Sequence, residues 1–211
     1  MDLVLSDATQ PAPRGKLSKE KIVAAAIAIA REDGLDSLSM RKVASRLKAG
    51  VMSIYHYIKN RDALLLAMLD QVALDLDHPA PCDDPAQEIV QIYSTLYAIF
   101  RDEPWLVETV TKTNLASVHV LPLVERIYAA LEKMGLDDTE IGELFSVLIE
   151  YTYGRAITTY SEAAITEFGL ESPFGDVSGA QEQYPVWFRV EENFRELPGS
   201  FERGLRRILG V

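Results

Sequence analysis

Between Ser39 and Ile58 the sequence carries two amphipathic stretches, each only two turns long, on either side of Lys48-Ala49-Gly50. In the first, Met40, Val43, Ala44 and Leu47 share one face, and Arg41, Lys42, Ser45 and Arg46 the other. In the second, Ile54 and Ile58 point inward while Met52, Ser53, His56 and Tyr57 face partly outward. Helices this short do not persist alone in water, because the cost of nucleation is not recovered over two turns. The pair therefore demands longer neighbours, and the flanking sequence supplies them. Ser18 caps a helix over 18–33 in which Ile22, Ala25, Ala26 and Ile29 form a stripe. Leu17 is placed to pack on Ile22, and Gly34 can take the left-handed closing position. A fourth helix runs from Arg61 to about Leu76, with Leu64, Leu65, Met68, Leu69, Val72 and Leu76 on one side.

Apolar residues keep helical spacing through the rest of the chain. Pro79, Pro81 and Pro85 with Asp83-Asp84 mark a break. Helices are expected after it over 86–101, from Pro104, over 122–134, from Asp137 or Asp138 to about Phe168, over 187–197 and over 201–209. Gly169 to Pro185 reads as a loop, and Pro198-Gly199 splits the last two helices. No segment alternates over more than a few residues as a half-buried strand does, so the fold class is all-α. The expected organisation is a flexible leader over 1–14, a compact three-helix head over 15–62 and a larger helical body over 63–211.

The chain as a whole is acidic, with 21 Lys and Arg against 32 Asp and Glu and a net charge of −11. By itself that argues against a nucleic-acid partner. The distribution reverses the argument, because residues 14–62 hold eleven Lys or Arg against five acidic residues. Beyond a Debye length of roughly 8 Å the acidic body is largely screened from a ligand at the head. On charge alone a solvated basic surface without a partner is an equal alternative. The longest apolar run, Ile22 to Ala30, falls well short of a membrane span. The single cysteine, Cys82, forms no internal disulfide and no multi-cysteine zinc site, and His78 and His119 stand without a second ligand at metal spacing. No Gly-x-Ser-x-Gly, His-Glu-x-x-His, Cys-x-x-Cys or phosphate-cradling glycine loop is present. The expectation is a cytoplasmic protein with no membrane partner, no catalytic residues, no metal site and no cofactor.

The run Leu17 to Ile22, then Gly34-Leu35, Ser39 to Ala44, Leu47 and Tyr55 to Leu65 resembles the tetracycline-repressor family of transcription regulators. The stretch Phe201 to Leu205 is similar to the last helix of the same branch. The resemblance implies a three-helix DNA-binding domain whose second and third helices form a helix-turn-helix, a connecting fourth helix, and a ligand-binding, dimerising body. It implies that Arg41 reaches a base edge and that Val51, Met52, Ser53 and His56 form the recognition face. Tyr55 and Tyr57 fall on backbone-contacting aromatic positions, with Lys59 and Arg61 as phosphate partners. Lys48 departs from the pattern, standing where the family usually turns with glycine. A lysine at positive φ costs on the order of 1 kcal/mol, which favours a turn drawn differently.

For the body, the resemblance implies a cavity among helices that carry Tyr97, Phe100, Trp105, His119 and Tyr128, the candidate ligand-binding residues. The reading is a homodimeric repressor that binds a double-stranded DNA operator and is released by a small-molecule effector. The alternative is an all-helical ligand carrier or protein adaptor without sequence-specific DNA binding.

Overall fold

The computed structural model describes residues 17–113, 115–167, 179–196 and 201–211, with the side chains of all but 159–167 and 191–196. The expected leader over 1–14, most of the expected loop over 169–185 and the Pro198-Gly199 break lie outside the described residues. Among the described residues every regular element is helical. The chain divides into two compact units, one reaching to Met68 and the other spanning Leu69–Val211.

The first unit holds α1 (Lys19–Asp33), α2 (Met40–Arg46), α3 (Val51–Tyr57) and the first half of α4 (Arg61–Leu74), with a 3-10 turn at Leu35–Ser37. The starts of α1, α2 and α4 are each fixed by a side chain that satisfies a backbone N–H left over by the helix, whereas α3 begins at Gly50 without one. Ser18 Oγ accepts from Lys21 at 3.3 Å, Ser39 Oγ from Lys42 at 3.2 Å, and Asn60 Oδ1 from Ala63 at 2.8 Å. Gly34 ends α1 with a positive φ of 80°, which favours glycine, but with ψ 162° and so outside the left-handed helical conformation expected of it. The stripe of α1 meets Val43 and Ala44 of α2, Ile54 of α3 and Ile58 in a closed core. Leu64, Leu65 and Met68, all fully buried, complete it. For that reason the division falls inside α4 and not at the expected 62/63 boundary.

The second unit is built around α5 (Pro85–Asp102), which packs against α6 (Pro104–Thr113), α7 (Leu121–Lys133), α8 (Asp138–Glu167) and α10 (Phe201–Leu209). A further helix, α9 (Pro185–Glu196), precedes α10. Asp84 caps α5 through Ala86 and Gln87, and Asp137 accepts from Thr139 and Glu140 at the start of α8. Proline occupies the first turn of α5, where its missing N–H costs nothing. Ile89, Ile92 and Tyr93 of α5, Ile127 and Leu131 of α7, Leu148 of α8 and Leu205 of α10 are buried together.

Two features lock this unit. Glu88, only 6% exposed, accepts from Arg126 Nε at 2.8 Å and from the Cys82 N–H at 2.8 Å. It therefore ties α5 to α7 and to the segment that enters α5. Phe201 lies between two tyrosine rings, Tyr97 at a centroid distance of 4.2 Å and Tyr151 at 5.3 Å, both nearly parallel to it. One turn later Gly204 sits against Tyr151, and a Cβ at that position would overlap the Tyr151 hydroxyl.

Candidate nucleic-acid interface and cavity

The turn between α2 and α3 is set by a C-terminal hydrogen-bond pair. The Ala49 N–H donates to the Ala44 carbonyl at 2.9 Å and the Lys48 N–H to the Ser45 carbonyl at 3.1 Å, which is the Schellman arrangement. Its left-handed residue is Lys48, at φ 51°. The same pattern ends α7, where Leu136 donates to Leu131 and Gly135 to Glu132, with glycine at φ 91°. The expectation of a differently drawn turn is thus not met: the lysine adopts the glycine conformation and bears its strain. Lys48→Gly should relieve about 1–2 kcal/mol of strain against about 0.5–1 kcal/mol of added unfolded-chain freedom. The expected net is a gain under about 1 kcal/mol, read as a melting temperature about 2 °C higher.

Cations around this turn fall into two groups. Lys42 Nζ lies 3.0 Å from Asp33, and Arg46 grips Glu32 with two hydrogen bonds of 2.6 and 2.5 Å. The hydrogen bonds from Arg46 hold the Glu32 carboxyl below its usual range. Any stability this exposed pair adds is present at neutral pH and fades as the pH falls through that depressed value. Arg41, Lys48 and Lys59 have no ion-pair partner among the described residues. Arg61 gives one N–H to the Leu35 carbonyl at 3.3 Å, which fixes the 3-10 turn and leaves the rest of its fork exposed.

On α3, Ile54 is fully buried and orients the helix. Met52 is 80% exposed, Ser53, Tyr55 and His56 are exposed, and Val51 is half-buried. Tyr57 is exposed at the ring, but its hydroxyl donates to the Leu17 carbonyl at 2.9 Å and its edge meets His56. That strap joins α3 to the residue before the N-cap of α1, so the Tyr57 proton is committed within the unit. The structure brings Arg41, Met52, Ser53, Tyr55, His56 and Lys59 to the surface of one small unit. It adds Lys48, which the sequence flags only as an anomaly of the turn.

The second unit holds a partly open cavity of about 610 Å³. Leu69 and Val72 of α4, Leu96 and Phe100 of α5, Leu106 and Val110 of α6, Ile127 of α7, and Phe145 and Ile149 of α8 form its walls, with Leu115 to Val118, Val120 and Leu121 along one side. Its polar groups among the described residues are Ser117, Tyr93 and Tyr153. Ser117 Oγ donates to Asp70 at 2.7 Å and accepts from the His119 N–H at 3.1 Å. The Tyr93 hydroxyl points to the Phe145 carbonyl at 3.5 Å, and burial raises both the Tyr93 and Tyr153 phenols above their usual range.

Of the five expected ligand-binding residues, Phe100 lines this cavity, its ring tilted on Tyr153 at 5.1 Å. The other four lie elsewhere. Tyr97 is turned to Phe201 because Tyr93, Leu96 and Phe100 take the cavity side of α5. Trp105 is buried and donates its indole N–H to Glu103 at 2.6 Å. His119 is exposed and contributes its backbone N–H to Ser117. Tyr128 is exposed, edge-on to Phe145. Tyr153 and Ser117 are the additions. Ring content could not find Tyr153, because α8 carries apolar residues on every face, and a serine has no periodic signal. Among the described residues no three His, Cys, Asp or Glu side chains converge as a metal site requires, and no helix is long and apolar enough to cross a membrane.

Comparison with known proteins finds a family match within each of the two units. The family model for bacterial regulatory proteins, tetR family, matches residues 22–68, and that for the tetracyclin repressor-like C-terminal domain matches residues 79–210. The HTH-type transcriptional repressor DrrR1 of Streptomyces coeruleorubidus is 29% identical, over 93% of this chain and 77% of its own length. An HTH-type transcriptional regulator of Saccharopolyspora erythraea is 30% identical over 92% of this chain and 83% of its own. Among solved structures, the Streptomyces coelicolor TetR family protein ActR in complex with (S)-DNPA has a TM-score of 0.70 at 24% identity, covering 92% of this chain and 96% of that one.

Proposed function

Because the chain belongs to the tetR family of bacterial regulatory proteins, we propose that it acts as a homodimeric repressor that docks two copies of α3 in successive major grooves of a pseudo-palindromic operator. The observation that carries this reading is the division of labour on α3 and its flanks. Ile54 and Ile58 are buried, while Met52, Ser53, Tyr55 and His56 are exposed beside cations that lack an internal partner. Arg41, Lys48, Lys59 and the open part of Arg61 neutralise phosphates, and Met52 offers an apolar surface to thymine methyl groups. Tyr57 acts chiefly as the strap on Leu17.

Dimerisation draws support from apolar side chains left outside on the body. Val147 and Ile157 of α8, and Val186 and Val190 of α9, are each about half exposed. Such a surface is what a second copy would cover. Release of DNA requires an effector that binds one conformer better than another, with coupling of typically 1–3 kcal/mol. The helix α4 carries the signal: Leu64 and Leu65 belong to the head core, and Leu69 and Val72 belong to the cavity wall. We assign no catalytic step, and the site of action is the cytoplasm, where the operator is.

Fluorescence anisotropy against DNA from upstream of its own gene tests the reading, with sub-micromolar, sequence-selective binding expected. Log affinity should fall steeply with log salt, and a flat dependence would defeat the phosphate contacts. Lys59→Ala should weaken binding to all sequences alike and reduce the slope by about 0.9 per contact, nearly 2 per dimer. Arg41→Ala should in addition relax preference at one base position.

A further inference from the structure

Taking the cavity as the effector site of the proposed repressor, we infer that it is built for a neutral, largely apolar, ring-bearing molecule that exchanges a hydrogen bond with the Tyr153 hydroxyl and that it turns away carboxylates and phosphates. The inference rests on that functional reading for its biological role but on the cavity alone for its chemistry. At about 610 Å³ the space suits a drug-sized ligand. Among the described residues no charged side chain lines the wall, and the Asp70 carboxylate sits behind Ser117, so an anion entering would lose its hydration and meet no counter-charge.

The three polar side chains are not equivalent. Ser117 has committed its proton to Asp70, and Tyr93 directs its own at the Phe145 carbonyl, so each can at most accept from a ligand. Tyr153 has no hydrogen-bond partner among the described residues, and burial keeps its phenol protonated. The hydroxyl can therefore both donate and accept, and a ligand hydroxyl or carbonyl can take the place of water on it. The Phe100 ring beside it, 5.1 Å away, gives the ligand an aromatic face to lie against.

Three probes with one ring system isolate these claims: 9-anthracenemethanol, 9-methylanthracene and 9-anthracenecarboxylate, each titrated by its own fluorescence into the full-length protein. Both neutral compounds should bind saturably and the carboxylate at least ~100-fold more weakly. Tyr153→Phe should weaken the alcohol about five- to tenfold and leave the methyl compound unchanged. Carboxylate binding within tenfold of the alcohol overturns the inference, as does equal weakening of both neutral probes by Tyr153→Phe, or saturable binding by none. Operator affinity of the ligand-free protein is measured separately. Its absence defeats the repressor reading, while the three binding constants still decide the chemistry of the cavity.

Discussion

Met52→Asp is expected to abolish operator binding while leaving the protein as stable as before. Met52 is 80% exposed, so the change removes no core contact, and a surface substitution of this kind stays within about 0.5 kcal/mol. A carboxylate near the start of α3 is also compatible with the positive end of a helix. At the groove the balance is opposite. Each half-site loses an apolar contact worth about 1–3 kcal/mol and gains a charge repelled by phosphates. Over the two half-sites of a dimer, affinity should fall at least ~100-fold. Anisotropy with operator DNA measures the loss, and a thermal melt within about 2 °C of the parent shows that folding is untouched. Met52→Leu, which keeps the apolar contact, should retain most of the affinity. Operator binding by Met52→Asp at parental strength would remove α3 from the reading face.

Arg126→Ala carries the largest expected cost in stability. It strands the Glu88 carboxylate, 6% exposed, leaving the Cys82 N–H as its one remaining donor among the described residues. Breaking a buried pair from one side typically costs about 3–5 kcal/mol, because the remaining ion is left uncompensated. For a chain of this length that corresponds to a melting temperature lower by roughly 6–20 °C. Replacing both partners, as Glu88→Leu with Arg126→Leu, should recover most of the loss, since matched apolar residues often serve as well as the pair. A loss under about 1 kcal/mol in the single variant would mean that solvent already screens the carboxylate. The effect should reach the cavity, because Leu123 and Ile127, on either side of Arg126 along α7, are part of its wall.

How far the sequence anticipates the molecule depends on where each signal resides. Local chemistry was legible: Ser18, Ser39 and Asp137 cap the helices expected of them, and Gly34 closes α1. The amphipathic faces of α2 and α3 were legible for the same reason, as Val43 and Ile54 are buried and Met52 is exposed. Long-range choices were not. Nothing local distinguishes Tyr97, which stacks on a ring far along the chain, from Phe100, which faces the cavity a turn later. Lys48 was legible as an irregularity but not in its outcome. The hydrogen bonds to Ala44 and Ser45 and the packing of α2 and α3 outweigh a strain of about 1–2 kcal/mol. The α4 boundary moved because Leu64 and Met68 belong to a core whose other members lie in α1 to α3.

The contact between Gly204 and Tyr151 makes a statement about descent. A methyl group at 204 is barred while the tyrosine keeps its place beside Phe201, and the space it occupies cannot be refilled by one change alone. Drift at either position is therefore conditional on the other. Sister proteins that carry alanine or larger at the glycine site should have traded the tyrosine for a shorter residue, leaving the two columns correlated.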